Sequence, residues 1–158
     1  MQTTISNEFL TVTIDTHGAE VVSVKNSKGE ELIWQADPAI WDRHSPVLFP
    51  WAGRLANGEL IHNGKHYSGG QHGFIRDLEH ILKQNNGISA QLMFRADEET
   101  KTLRFPFDFE SSLKYRTVMV MPLVTCISRS DRADISSSVR MRLGTRSVRC
   151  FSAASCSS

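Results

Sequence analysis

The chain has 158 residues, of which 40% are hydrophobic and 22% charged, and its formal net charge is +1. This length fits one domain able to bury about two-thirds of its unfolded surface, and so even a charge balance exerts no overall pull toward nucleic acid or a membrane surface. There is no apolar run of 18 residues, and the opening MQTTISNEFL lacks the basic-then-apolar layout of a leader, so the expectation is a soluble, cytoplasmic protein.

The first element in chain order is FLTVTID, residues 9–15. It places Phe9, Thr11, Thr13 and Asp15 on one face and Leu10, Val12 and Ile14 on the other, the period-two pattern of a half-buried strand. AEVVSVKN repeats the pattern, SKGE turns the chain at Gly29, and ELIWQ returns, which predicts a hairpin of residues 21–26 with 31–35. In DPAIWDR, Asp37 is placed to cap a short turn with Pro38 at its first position. Asn63-Gly64 inside ELIHNGKHYSG is the strongest local signal in the chain, for a two-residue type I′ hairpin turn. Residues 88–95 and 108–115 read as further strands, joined by the polar stretch ADEETKT and by LRFPF. Helix signals are sparse, so the predicted class is all-β, a sandwich rather than a closed barrel because the strands come in hairpins.

Two stretches do not fit this strand-and-turn pattern. RHSPVLFPWAGRLANG, residues 43–58, combines two prolines, two glycines and a compact apolar group, with Arg54 directly after Gly53. One reading is a buried connecting loop whose arginine pairs with a surface acid. The other is a binding surface, with Trp51 offering a flat apolar face and Arg54 offering fork-shaped donors to a polar ligand, as a sugar requires. GGQHGFIRD, residues 69–77, brings His72, Arg76 and Asp77 together on backbone that its glycines let approach a ligand. The other histidines, His17, His44, His62, His66 and His80, fall beside turns or on strand positions expected to be exposed. His62 and His66 flank the predicted hairpin turn without a third ligand, and Cys126, Cys150 and Cys156 show no metal-binding or disulfide spacing, so no metal site is expected.

Composition changes after Arg116. Through that residue the chain holds every histidine, tryptophan, tyrosine, lysine and glutamate, and six lysines, six arginines and fifteen acids leave it at −3. Residues 117–158 hold six arginines, two aspartates, ten serines and all three cysteines, and carry +4. The expected division is therefore a β-sandwich portion at 1–116 and an atypical Ser/Arg-rich tail at 117–158. The tail's composition is that of a disordered or out-of-frame segment, although TVMVMPLVTCI is apolar enough to pack as a strand. Its scattered arginines, with no aromatic interleaving, do not suggest nucleic-acid binding.

SPVLFPWAGRLANGEL followed by HGFIRD resembles the aldose 1-epimerase (galactose mutarotase) superfamily, in particular its LacX-like branch, and the opening from Asn7 to Val24 fits the same pattern. The resemblance covers roughly residues 5–115 and implies the N-terminal portion of a galactose-mutarotase-like β-supersandwich. It also implies a cofactor-free isomerase that interconverts the α and β anomers of an aldohexose or sugar phosphate. Opening and reclosing the ring requires a base at the anomeric hydroxyl and an acid at the ring oxygen. Carried onto this chain, the resemblance makes His72 a catalytic-site and sugar-contacting histidine and Arg54 the sugar-contacting arginine. Arg76 and Asp77 belong to the branch motif, and Trp51 completes the substrate-binding set. The family's second histidine and its catalytic glutamate have no counterpart in residues 117–158, which contain neither residue type. The expectation is thus an inactive partial domain, or a non-enzymatic carbohydrate-binding module, with edge strands available for self-association.

Overall fold

The computed structural model describes residues 1–118, 121–130 and 133–139. Ten strands and one short helix follow in chain order: β1 (Gln2–Ser6), β2 (Leu10–Asp15), β3 (Glu20–Asn26), β4 (Glu59–His62), β5 (Lys65–Ser68), β6 (Ile81–Asn85), β7 (Ser89–Arg95), α1 (Glu98–Leu103), β8 (Phe109–Val118), β9 (Met121–Ser130) and β10 (Ala133–Val139). They form a three-stranded sheet β1-β2-β3, a five-stranded sheet β10-β9-β8-β7-β6 and the hairpin β4-β5, with every pairing antiparallel. Among the described residues no helix is long and apolar enough to cross a membrane.

Alternation along each strand assembles the sandwich. Leu10, Val12 and Ile14 of β2 point inward with Ile5 of β1 and Val21 and Val24 of β3, and they meet Ala90 and Leu92 of β7 and Leu113 and Tyr115 of β8. Burying these aliphatic side chains between two sheets is the main favourable term in the fold. The Tyr115 hydroxyl donates to the Ala19 carbonyl, so the one polar group that Tyr115 carries inward is satisfied by the turn that leads into β3. A second, aromatic core of Phe49, Phe74, Ile75 and Phe109, flanked by Phe94 and Phe105, lies under the irregular stretches.

The Asn63-Gly64 turn forms as predicted, with both residues at positive φ between β4 and β5. The Asp37 turn also forms, its carboxylate accepting from Ala39 N–H at 2.9 Å. The predicted strand at 31–35 does not form, and β3 instead takes β2 as its partner. Only Glu31 pairs with Lys25, because its carboxylate captures the Val24 N–H at 2.7 Å and the Ser23 hydroxyl at 2.6 Å. The Leu32 N–H still donates to the Val24 carbonyl at 2.7 Å, but the Glu31 side chain holds the Val24 N–H, and the pairing goes no further. The sequence reading missed β1, β6, α1 and β10. Asp97 caps α1 by accepting from Thr100 N–H at 2.7 Å, and hydrogen bonds from Thr100 hold its carboxyl below the usual range. Strand β8 runs to Val118, across the change in composition after Arg116, and β9 and β10 extend its sheet. The disorder expected for the rest of the tail, and Cys150 and Cys156, fall outside the described residues.

His80 is buried rather than exposed, 2% accessible, with its ring beside Phe94. Its Nδ1 lies 3.0 Å from the Leu78 carbonyl, while Nε2 is buried without a hydrogen-bond partner among the described residues. Burial pushes the imidazole below its ordinary value, against the raising effect of nearby carbonyls and Glu79. In the unfolded chain this ring takes up a proton near pH about 6.5, and in the folded chain it resists doing so. Stability is therefore expected to fall as pH drops below that value, well above the range where carboxylates titrate. Urea unfolding at pH 7.5 and 5.5 checks this: the loss between the two should be clearly smaller in His80→Asn than in the unaltered chain.

Candidate functional site

The site is built from two chain segments that cross over the aromatic core. Phe49, held in that core by contacts with the Phe109 ring at 4.9 Å and the Phe105 ring at 6.1 Å, leads through a cis bond to Pro50 and on to Trp51, Gly53 and Arg54. The second segment arrives from β5 through Gly69 and Gly70 to His72 and Gly73, then enters a 3₁₀ turn at Ile75–Asp77. The two run side by side at a parallel bridge between Phe49 and Gly73, where the Phe49 carbonyl accepts from Phe74 N–H at 2.9 Å.

Further ties hold the polar groups in place. His72 N–H donates to the Gly53 carbonyl at 2.6 Å, and Gly53 N–H donates back to His72 Nδ1 at 2.8 Å. These reciprocal bonds hold His72 at φ 67°, in the left-handed region that non-glycine residues rarely occupy. Because Nδ1 accepts, the neutral ring carries its hydrogen on Nε2 and presents a donor away from Gly53. The Gln71 side-chain amide stands 3.3 Å from that nitrogen, and it accepts the Nε2 hydrogen when the amide turns its oxygen toward the ring.

The Trp51 indole donates to the Gly70 carbonyl at 2.8 Å. A Cβ on Gly69 would stand 2.7 Å from Leu55 Cδ1, 3.1 Å from the Gly58 carbonyl oxygen and 3.2 Å from Trp51 Cζ2, so a larger residue there would push Leu55 and the indole aside. Arg54 is exposed, and its guanidinium has no ion pair or hydrogen bond among the described residues. The alternative in which Arg54 is paired with a surface acid is therefore not realised among them. Trp51 and His72 are thus tied across the two segments through Gly70 and Gly53, and Arg54 follows Gly53 directly.

Arg76 and Asp77 sit farther along the second segment and are engaged differently. Asp77 Oδ1 receives Arg43 Nη2 at 2.6 Å, and Oδ2 is 3.9 Å from Arg76 Nε. Arg76 Nε is buried without a hydrogen-bond partner among the described residues. Arg43 and Gln71 were not among the sequence-derived candidates, and neither carries a local signal that would have marked it. His62 packs its ring on Phe107 at 4.8 Å and His66 Nδ1 lies 2.7 Å from Glu59 Oε2, so the two histidines around the hairpin turn have separate partners. Among the described residues no group of three or more histidines, cysteines or carboxylates is placed to hold a metal ion.

Comparison with known proteins gives this geometry a relationship. Residues 1–117 match the family model described as Aldose 1-epimerase. The plasmid and chromosomal LacX proteins of Lactococcus lactis subsp. lactis are each 33% identical over 116 residues, which is 70% of this chain and 38% of theirs. Among solved structures, a galactose mutarotase related enzyme from Lactobacillus acidophilus superposes with a TM-score of 0.79 at 36% identity, over 88% of this chain and 46% of that one. A galactose mutarotase-like protein from Lactobacillus casei gives a TM-score of 0.77 at 27% identity, over 87% of this chain and 46% of that one. The chain thus spans less than half the length of these relatives, and what it matches is their fold's N-terminal part. With the paired segments 43–58 and 69–77 in place on a matching sheet scaffold, the chain belongs to the aldose 1-epimerase family.

Proposed function

We propose that this chain carries the sugar-positioning wall of an aldose 1-epimerase site and takes an aldohexose or its phosphate as ligand. The observation that carries this reading is the Gly53–His72 pair of hydrogen bonds, which fixes the His72 imidazole, with its Nε2 donor, against Gly53, the residue directly before Arg54, whose guanidinium has no partner among the described residues. A sugar hydroxyl accepts from such donors, and the partly exposed Trp51 supplies an apolar face for the ring. On this reading His72 positions and polarises the sugar oxygen while the proton transfers of ring opening require a base and an acid at other atoms. Residues 117–158 supply neither histidine nor glutamate, so the chain alone binds sugar and does not hasten anomer exchange. No cofactor enters this chemistry, because moving two protons is sufficient for it.

The test is a titration of the ¹⁵N-labelled chain with galactose and with glucose, read at the Trp51 indole N–H. A saturable shift is expected, with the midpoint raised about tenfold or more in Arg54→Ala, the loss of one charge-assisted hydrogen-bonding group. Absence of any saturable shift with either sugar or its 6-phosphate removes the reading.

A further inference from the structure

Asp77 stands in the sequence as a sugar-contact candidate, yet its carboxylate is occupied by Arg43 at 2.6 Å, with Arg76 Nε 3.9 Å from its other oxygen. Arg43 opens the segment that continues to Phe49, Trp51, Gly53 and Arg54, and Asp77 closes the 3₁₀ turn that follows His72, Gly73 and Phe74. Besides the Gly58 carbonyl, which accepts from Gly69 N–H at 2.8 Å, the two segments are joined at four further places. Arg43 meets Asp77, Phe49 O meets Phe74 N–H, Trp51 Nε1 meets Gly70 O, and Gly53 meets His72 through both of its backbone groups. Three of these ties engage a backbone group on at least one side, two of them through the Trp51 and His72 side chains as well. The fourth is a tie between two charged side chains, at the end of the pairing away from Gly69.

The turn bearing Asp77 is also held from below. Gly18 N–H donates to the Leu78 carbonyl at 2.8 Å, and a Cβ at Gly18 would stand 2.4 Å from the Arg76 carbonyl oxygen. Asp77 is thus fixed on its own backbone, and the ion pair acts on Arg43 and the irregular segment behind it, which is also tied to β3 where the Glu20 carboxylate accepts from His44 and Ser45 N–H at 2.7 Å and the Ser45 hydroxyl donates to the Val21 carbonyl at 2.8 Å.

We propose that the Arg43–Asp77 ion pair is a positioning device that holds the Arg54 segment in register with His72, and that Asp77 does not itself touch the sugar. The inference rests on the sugar-wall reading for its consequence in binding. Both partners are partly exposed, at 29% and 40%, so the pair is too weak to hold the sandwich together. It is strong enough to bias a loop whose backbone pairing is the single Phe49–Gly73 bridge, and an effect of about two- to fivefold on sugar affinity is the scale expected.

The experiment uses the full ¹⁵N-labelled chain, first without sugar and then with galactose. In Asp77→Asn and in Arg43→Gln alike, the Gly53 amide resonance should move in the sugar-free protein, because its hydrogen bond to His72 Nδ1 lengthens. The galactose midpoint should rise about two- to fivefold, with the melting temperature within about two degrees of the unaltered chain. The exchanged pair Arg43→Asp with Asp77→Arg should restore both readouts, which a direct sugar contact by Asp77 would not allow. Failure of the exchange to restore them overturns the proposal, as do an unmoved Gly53 amide or a fall in melting temperature that accounts for the lost affinity. If the amide moves and is restored but no sugar binds to the unaltered chain, the positioning device stands and the sugar-wall reading fails. If sugar binds and the amide stays in place, the reverse holds.

Discussion

Replacing Gly73 with alanine is expected to destabilise the chain by more than about 3 kcal/mol, because two independent penalties fall on one methyl group. Gly73 sits at φ 74°, where a side chain strains against its own backbone, and the added Cβ would stand 1.9 Å from the Phe49 carbonyl oxygen and 2.7 Å from Pro50 N. Both opposing atoms are backbone, so neither can swing aside. Relief requires separating the two segments at the Phe49–Gly73 bridge, which gives up the Phe74 N–H to Phe49 O bond and pulls Phe49 from the aromatic core. The bridge lies between the Arg43–Asp77 tie and the Gly53–His72 tie, so any folded fraction of the variant should also have lost its ordered His72. Urea unfolding gives the stability loss as a shift of midpoint at unchanged slope. A shift worth less than 1.5 kcal/mol would mean that the segments separate cheaply, and with that the account of a pre-formed wall would fail.

Leu113→Ala is the second large effect, expected at about 3–5 kcal/mol. Leu113 is fully buried in β8, stands opposite Leu92 of β7 in the sheet register and belongs to the cluster that joins the two sheets. Removing its branched end leaves a cavity walled by strands on both sides, which cannot collapse to fill it. Leu113→Met keeps the volume and should cost less than about 1.5 kcal/mol. The contrast with Gly73 is informative, since Leu113 is remote in sequence from the site-bearing segments, and its cluster meets them at Val47, away from Trp51, Arg54 and His72. Under folding conditions the Leu113→Ala chain should retain the galactose midpoint of the parent, whereas Gly73→Ala should not. Equal loss of affinity in both would show that binding tracks overall stability and not the local loop.

The parts of this fold that could be read from the sequence are those encoded by neighbouring residues. Asn63-Gly64 supplies its own positive φ angles, Asp37 caps its own turn, and the alternation in β2, β3, β7 and β8 declares which face is buried. Strand β1 was missed because QTTIS offers only Thr3 and Ile5 as inward positions, too few to establish a period. Helix α1 is six residues long and has no apolar stripe, so its one signal was Asp97 followed by two glutamates in the first turn. The strand expected at 31–35 failed for a tertiary reason, capture of the β3 edge by the Glu31 carboxylate. Burial of His80 left no trace in the pattern either, because a lone histidine on a strand reads the same whether a sheet covers it or not.

The candidate site divides in the same way. His72 and Arg54 were reached by resemblance of motifs, while the bonds that join them run through Gly53 and between residues 19 positions apart. Backbone hydrogen bonds at that separation leave no spacing rule in a sequence. Asp77 was picked out as a polar group beside His72, and only the fold reveals that Arg43, 34 positions earlier, is its partner.

The central claim is that these residues hold a sugar without moving its protons, and one measurement addresses both halves of it. Freshly dissolved α-galactose is followed by proton NMR in the presence of the chain, reading the line width of the anomeric proton and the rate at which the β signal grows. The account predicts a line broadened by the unaltered chain and left sharp by Arg54→Ala with His72→Ala, while the β anomer appears at the spontaneous rate. A sharp line with the unaltered chain, or growth of the β signal faster than in buffer, would contradict it.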